Sequence, residues 1–279
     1  MAERLFVRHA RSKGQRPLRR VAPIQNCVQP ITSGFIFKSV EYRELQPVSE
    51  LQDDVVCIWY DDRLHREQLV LPDGCIDIVW IKGHKPGIAG PATLPITAPL
   101  SQAPVLGLRF RPGKAPAFLG VPADAMLNSD VDLEELWPEA GKRLADALDA
   151  STSIDEGLAL LQQTASEQRT EEPDELVAAA VSKLRRAPDT QVAELGDALG
   201  ISERQLLRRF TNAVGYGPKV FGRVLRFQRF MRLLEAPEAQ SWDLARLAAE
   251  AGYADHAHLT RECARLSGSV PSVLRGAQD

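Results

Sequence analysis

Apolar positions along the chain change their period once. From about residue 31 to 112 they fall in short β-rich runs, FIFKSVEYREL, VVCIWYDD, EQLVLP, CIDIVWIK and VLGLRFRP, separated by Pro, Gly and Asp turn signals. This pattern predicts an all-β core, a sandwich or a barrel. From about residue 114 the spacing becomes helical, through KAPAFLG, DVDLEELW, GKRLADALDA and IDEGLALLQQTA. These helices are expected to cover the open side of the sheet. The polar stretch SEQRTEEPDE, residues 166 to 175, contains Pro173 and reads as a linker. After it every strong pattern is helical, starting with DELVAAAVSKLRRA, where Asp174 can cap and Arg185 and Arg186 stand at the C-terminal end.

The segment QVAELGDALGISERQLLRRF, residues 191 to 210, carries the central signal. Val192, Leu195, Ala198 and Leu199 form one apolar face, Gly200 stops the helix, Ile201 packs the turn and Ser202 caps the next helix. In that second helix Leu206 and Phe210, four residues apart, point inward. Arg204, Leu207, Arg208 and Thr211 share the outward face, where arginine can meet guanine through paired hydrogen bonds or clamp phosphate. An αα-hairpin of some unrelated domain fits the apolar spacing equally well but leaves the arginine-rich face unexplained.

The pattern then recurs. SWDLARLAAEAGYADHAHLTRECARLSG, residues 241 to 268, again has an apolar-faced helix (Leu244, Leu247, Ala248), a turn at Gly252 and a capping Asp255. Leu259 and Cys263 take the inward places, and His256, Ala257, Thr260 and Arg261 face out. Between the units, GPKVFGRVLRFQRFMRLLEA starts with Pro218 and keeps Val220, Val224, Phe227, Met231 and Leu234 on one side. It reads as one connecting helix of roughly 27 Å, comparable to the roughly 34 Å turn of B-DNA. Two recognition helices could then enter successive major grooves from one chain.

Composition adds limits rather than a function. With 279 residues, 44% hydrophobic and 25% charged, the chain fits two ordinary globular domains. The net charge of −3 hides an asymmetry: residues 182 to 279 hold 15 Lys+Arg against 11 Asp+Glu, and the rest is acidic. Arg204, Arg208, Arg209, Lys219, Arg223, Arg226, Arg229 and Arg232 make 203 to 232 strongly basic, which suits a phosphate backbone as well as a solvated face. Seven Lys+Arg among residues 1 to 20 suggest a basic, mobile arm. Cys27, Cys57, Cys75 and Cys263 form no CxxC pair, so no disulfide framework or zinc knuckle is expected. No long apolar run or secretory segment stands out, and the expected location is the bacterial cytoplasm.

ISERQLLRRFTNAVGYGPKVFGRVLRFQRFMRLL, followed by LARLAAEAGYADHAHLTRECARLSGSVPSVLR, resembles the DNA-binding domain of the AraC/XylS family of transcription regulators over about residues 174 to 276. The resemblance implies that Arg204, Leu207, Arg208 and Thr211, and in the second unit His256, Ala257, Thr260 and Arg261, contact base edges. Three positions depart from the family pattern: Leu207 stands where a polar residue is usual, Cys263 replaces an aromatic and Ala264 a basic residue. Leu207 would meet a thymine methyl or a poorly specific position, and the second unit would bind more weakly. More loosely, LPDGCIDIVW, GIAGPAT and LGLRFRPG resemble the β-rich sensor domain of some AraC-like regulators.

Asp73, Asp77, Arg109 and Arg111 lie at predicted strand ends and turns. They suit a pocket for a polar or anionic effector, or ion pairs that fasten two turns. An enzyme is the other class to weigh, since some proteins with this DNA-binding domain are repair methyltransferases with a zinc-held cysteine. Cys57, Cys75, His65 and His84 lack the spacing of such a site, so no catalytic residue, metal or cofactor is expected. A general DNA coat does not require a whole acidic β domain.

The expected fold is α+β and multidomain: a basic arm over 1–20, a β-rich sandwich or barrel with covering helices over 21–165, a linker over 166–173, and an all-α domain over 174–279. The all-α part holds two helix-turn-helix units joined by a long helix. Double-stranded DNA is the expected partner, with a small-molecule effector, a second copy of the chain, and RNA polymerase for an activator; no membrane is expected.

Overall fold

The computed structural model describes residues 42–62, 68–98 and 103–276. The basic arm, Cys27, His65 and most of the first expected strand run lie outside these residues. Among the described residues, eight strands form two antiparallel sheets. The larger has the order β1 (Tyr42–Leu45), β2 (Val55–Asp61), β7 (Val105–Phe110), β4 (Ile76–Ile81), β5 (Gly87–Ala89), β8 (Asp130–Asp132). The smaller pairs β3 (Gln68–Val70) with β6 (Ile96–Ala98). The larger sheet is open, and its central strands β4 and β7 are buried along their length.

Side-chain alternation gives that sheet two apolar faces. Ile58, Ile76, Ile78, Leu106 and Leu108 face a core completed by Phe118 of α1 (Pro116–Leu119), Leu133 of α2 (Leu133–Leu136), Leu144 and Leu148 of α3 (Pro138–Ala150), and Leu158 and Leu161 of α4 (Ile154–Glu167). These are the covering helices expected from the sequence. Cys57, Trp59, Val79 and Val105 belong to the other face. Gly107 is required there on steric grounds. A Cβ on it would stand 2.0 Å from the Trp59 ring, so only glycine lets the indole lie across β7.

Among the described residues, seven α-helices follow: α5 (Glu175–Arg186), α6 (Val192–Leu199), α7 (Glu203–Val214), α8 (Pro218–Glu235), α9 (Leu244–Ala251), α10 (His256–Ser267) and α11 (Pro271–Gly276). The polar segment between α4 and α5 is tied down. Arg169 and Lys114 each reach the buried Asp54 carboxylate at 3.2 Å, and Thr170 N–H donates to Ala117 O at 2.9 Å. Asp174 then caps α5, accepting from the N–H of Leu176 and Val177.

The helical part does not stand apart from the β-rich part. The turn between α7 and α8, Gly215-Tyr216-Gly217, is seated in it: a Cβ on Gly215 would lie 2.3 Å from Pro91 Cγ and 3.3 Å from Ala123 O. Gly74 also lies close to the Phe221 ring of α8, where a Cβ would meet Cε2 at 2.7 Å. Gln228 Nε2 donates to Pro72 O at 2.6 Å, and Leu71 and Leu127 pack on the helical core. Tyr216 is buried with no hydrogen-bond partner for its hydroxyl among the described residues, and burial, with Asp73 and Cys75 nearby, pushes its phenol well up. Among the described residues no helix is long and apolar enough to cross a membrane.

Candidate nucleic-acid interface

Both helix-turn-helix units are built by local signals. Gly200 ends α6 at φ +66°, and Ser202 caps α7 through a reciprocal capping box: its Oγ accepts from Gln205 N–H at 3.3 Å, and its own N–H donates to Gln205 Oε1 at 3.1 Å. In the second unit Asp243 caps α9, Gly252 ends it at φ +89°, and Asp255 caps α10 by accepting from His258 N–H at 2.6 Å. Caps of this kind each contribute about 1 kcal/mol. Leu206 and Phe210, and Leu259 and Cys263, are fully buried as the spacing requires. Ala198 departs from its expected place: it is exposed, because the inward face of α6 is carried by Leu195 with Val192 and Leu199 half-buried.

The outward faces follow. Arg204, Leu207 and Arg208 on α7, and His256, Ala257 and Arg261 on α10, are exposed, while Thr211 and Thr260 are half-buried. Arg204, Arg208 and Arg261 have no ion-pair partner among the described residues, so their charges are available to a ligand. Thr260 Oγ donates to His256 O at 2.8 Å, which leaves the hydroxyl as an acceptor. Leu207 is 51% exposed and leans toward the α7–α8 turn, its Cδ1 lying 2.9 Å from where a Cβ on Gly217 would sit.

Helix α8 is a structural strut rather than an amphipathic surface helix. Phe221, Val224, Phe227 and Phe230 have no exposed surface, and Met231 and Leu234 little. Burying each such phenylalanine contributes about 1.5–3 kcal/mol. The helix spans 18 residues, about 27 Å.

Three of the eight cations between 203 and 232 are paired internally, which the charge run concealed. Arg209 pairs with the α5 cap Asp174 at 2.7 Å. Arg226, buried on α8, pairs with Asp189 and lies over the Tyr253 ring at 5.8 Å. Arg223 on α8 forks onto Glu262 of α10, Nε to Oε2 at 2.7 Å and Nη2 to Oε1 at 2.9 Å. Burial pulls the Glu262 carboxyl up, but Arg223 outweighs it and holds the group below the usual carboxylate range. This brace was missed by sequence reasoning, although Glu262 is the single acid within α10.

The four residues considered for an effector pocket separate. Arg109 meets Asp77 through Nε at 3.1 Å and Nη2 at 3.0 Å, with Asp73 at 3.8 Å and Glu44 at 3.6 Å. Trp59 Nε1 donates to Asp77 at 3.2 Å. Burial pushes the Asp77 carboxyl up against the pull of Arg109, while Asp77 and Asp73 overcome burial and hold the guanidinium protonated. Asp77 and Arg109 thus form a buried ion pair, with the half-buried Asp73 at its edge. Arg111 is not part of it: β7 ends at Phe110, and the turn carries Arg111 to Gln52 O, at 3.0 Å from Nη2. Among the described residues, no group of three His, Cys, Asp or Glu could hold a metal ion.

Two family models match separate stretches of the chain. Residues 43–132 match a domain of unknown function (DUF6597), and residues 195–277 match a helix-turn-helix domain. No curated protein matches the sequence. Similar solved structures include an apo variant of ToxT from Vibrio cholerae strain SCE256, 10% identical with a TM-score of 0.43, covering 80% of this chain and 97% of that one. Another is ToxT from Vibrio cholerae O395 bound to (E)-4-(8-methylnaphthalen-1-yl)but-3-enoic acid, 8% identical with a TM-score of 0.43, covering 80% and 98%. The helix-turn-helix match falls on the two units whose caps, inward anchors and outward arginines are described above, and the chain therefore carries a helix-turn-helix domain over residues 195–277.

Proposed function

We propose that this chain is an AraC-type DNA-binding transcription regulator that reads two successive major grooves, with α7 and α10 as recognition helices, and that its β-rich domain modulates the reading. The observation that carries the proposal is the repeat itself: two capped units, each with an exposed face, held on one strut by α8 and the Arg223–Glu262 fork. Base contacts are assigned to Arg204, Leu207, Arg208 and Thr211 in the first unit and to His256, Ala257, Thr260 and Arg261 in the second. Modulation is supported by the seam, because a turn adjoining α7 is lodged against Pro91 and Ala123. The division into an arm over 1–20, a β-rich domain over 21–165, a connection over 166–173 and a DNA-binding part over 174–279 belongs to the same proposal.

Selecting sites from a random duplex pool with the full-length protein tests this reading, which requires two conserved half-sites about one helical turn apart. A single recovered half-site overturns the two-groove reading. On the selected site, Arg208→Ala is expected to weaken binding by about 1–3 kcal/mol, roughly 5- to 150-fold, and to relax one base position. Arg261→Ala is expected to lose less, since the second unit has Ala264 where the family pattern has a cation. Losses equal on all sequences mark either arginine as a phosphate contact, and a larger loss at Arg261 reverses the ranking.

A further inference from the structure

A cleft of about 430 Å³ opens between the turn after β7 and helix α5, within the size range of small-molecule sites. Four cations line it, Arg111 and Lys114 from the β-rich side and Arg185 and Arg186 from the last turn of α5. Its remaining surface is largely apolar, with Pro112, Ala178 and Val181. No carboxylate lines it among the described residues. Lys114 is neutralised by Asp54, but Arg111 rests on the uncharged Gln52 O, and Arg185 and Arg186 have no ion-pair partner among the described residues. Basic residues at a helix C-terminus answer the helix dipole. That accounts for Arg185 and Arg186 alone; it does not account for cations from another domain converging on the same apolar floor.

We infer that this cleft binds a small anion with an apolar body, a carboxylate or phosphate carried on an aryl or alkyl group, held between the two domains. Three uncompensated guanidiniums supply the charge and the forked donors an oxyanion accepts. The floor excludes water from the rest of the ligand. Site and seam are continuous: Gly113, at φ +86° in the same turn, lies so close to α5 that a Cβ would stand 3.1 Å from Val177 Cγ1. α5 is joined in turn to the first recognition helix through Asp174 and Arg209. A ligand here would favour the docked arrangement of the domains over any looser one, by its difference in affinity for the two. This deepens the modulation proposed above and rests on it.

Calorimetry on the full chain without DNA tests the site separately from groove reading, so either can fail alone. Biphenyl-4-carboxylate and biphenylyl phosphate are the two probes, and the tighter one identifies the head group. One equivalent is expected to bind. Biphenyl-4-methanol, with the same body and no charge, and inorganic phosphate, with charge and no body, are each expected to bind at least about tenfold more weakly. Arg185→Gln with Arg186→Gln, at exposed positions that folding does not require, should weaken the probes by about tenfold or more. Ala178→Trp should block them by filling the floor while every charge remains. Equal binding by the double variant, equal binding by the neutral alcohol or by inorganic phosphate, or no binding of either probe overturns the inference. So does retained probe binding by the double variant with a uniform loss of affinity for unrelated duplexes, which would give the two arginines to the DNA backbone.

Discussion

Gly215→Ala is expected to lower the stability of the whole chain by about 2–6 kcal/mol. About 1–3 of this is the cost of a side chain at a positive φ, here +96°, and a similar amount is the overlap with Pro91 and Ala123 O. Against a total of about 5–15 kcal/mol for an ordinary domain, the loss is large. Gly200→Ala is the internal comparison, since Gly200 also has a positive φ, +66°, but open space where its Cβ would go. It should lose only the backbone part. Denaturant midpoints of both variants, at unchanged slope, measure the difference. Equal losses would mean that the seam against Pro91 contributes nothing.

Glu262→Ala is the second change with a large expected effect. It leaves the mostly buried Arg223 without its partner, and losing one member of such a pair costs about 3–5 kcal/mol when burial is complete. The side chains here are 18% and 11% exposed, so about 2–4 kcal/mol is expected. Because the fork joins α8 to α10, the selected DNA site should lose protection over the second half while the first half is kept. A double-mutant cycle with Arg223→Ala isolates the pair, and a coupling below about 0.5 kcal/mol would mean that the fork braces nothing. The lowered carboxyl sets the sign of the pH effect. Stability from the fork is complete above the ordinary glutamate pKa of about 4.3 and is lost as the pH falls through the lower folded value.

The parts of the fold that the sequence made legible rest on neighbouring residues. Gly200, Ser202, Gly252 and Asp255 each act within one helical turn, so stops and caps were readable without knowing the fold. Inward anchors such as Leu206 and Phe210 were readable for the same reason. Charges were not, because their partners are distant: Arg209, Arg223 and Arg226 resemble their neighbours in the run, but their acids are 35 to 39 residues away. The seam was also hidden. PDG and RPG announced turns, and the turns formed, but nothing local says that Gly74 faces Phe221 or that Gly113 faces Val177. Arg109 and Arg111 would share a strand face by alternation, and only the end of β7 at Phe110 sends them to different partners.

The internal pairing of Arg209, Arg223 and Arg226 has a thermodynamic consequence for how this protein meets DNA. Every phosphate neutralised by a protein cation releases condensed counterions, and the steepness with which affinity falls as salt rises counts those phosphates, at about −0.9 per contact on a duplex. Cations already committed to Asp174, Glu262 and Asp189 release none. The stretch from 203 to 232 therefore draws less of its affinity from ion release than its tally of arginines implies. On the proposed two-groove reading, a correspondingly larger share comes from contacts that salt does not screen, the shape of the two recognition faces and the edges of the bases they would meet.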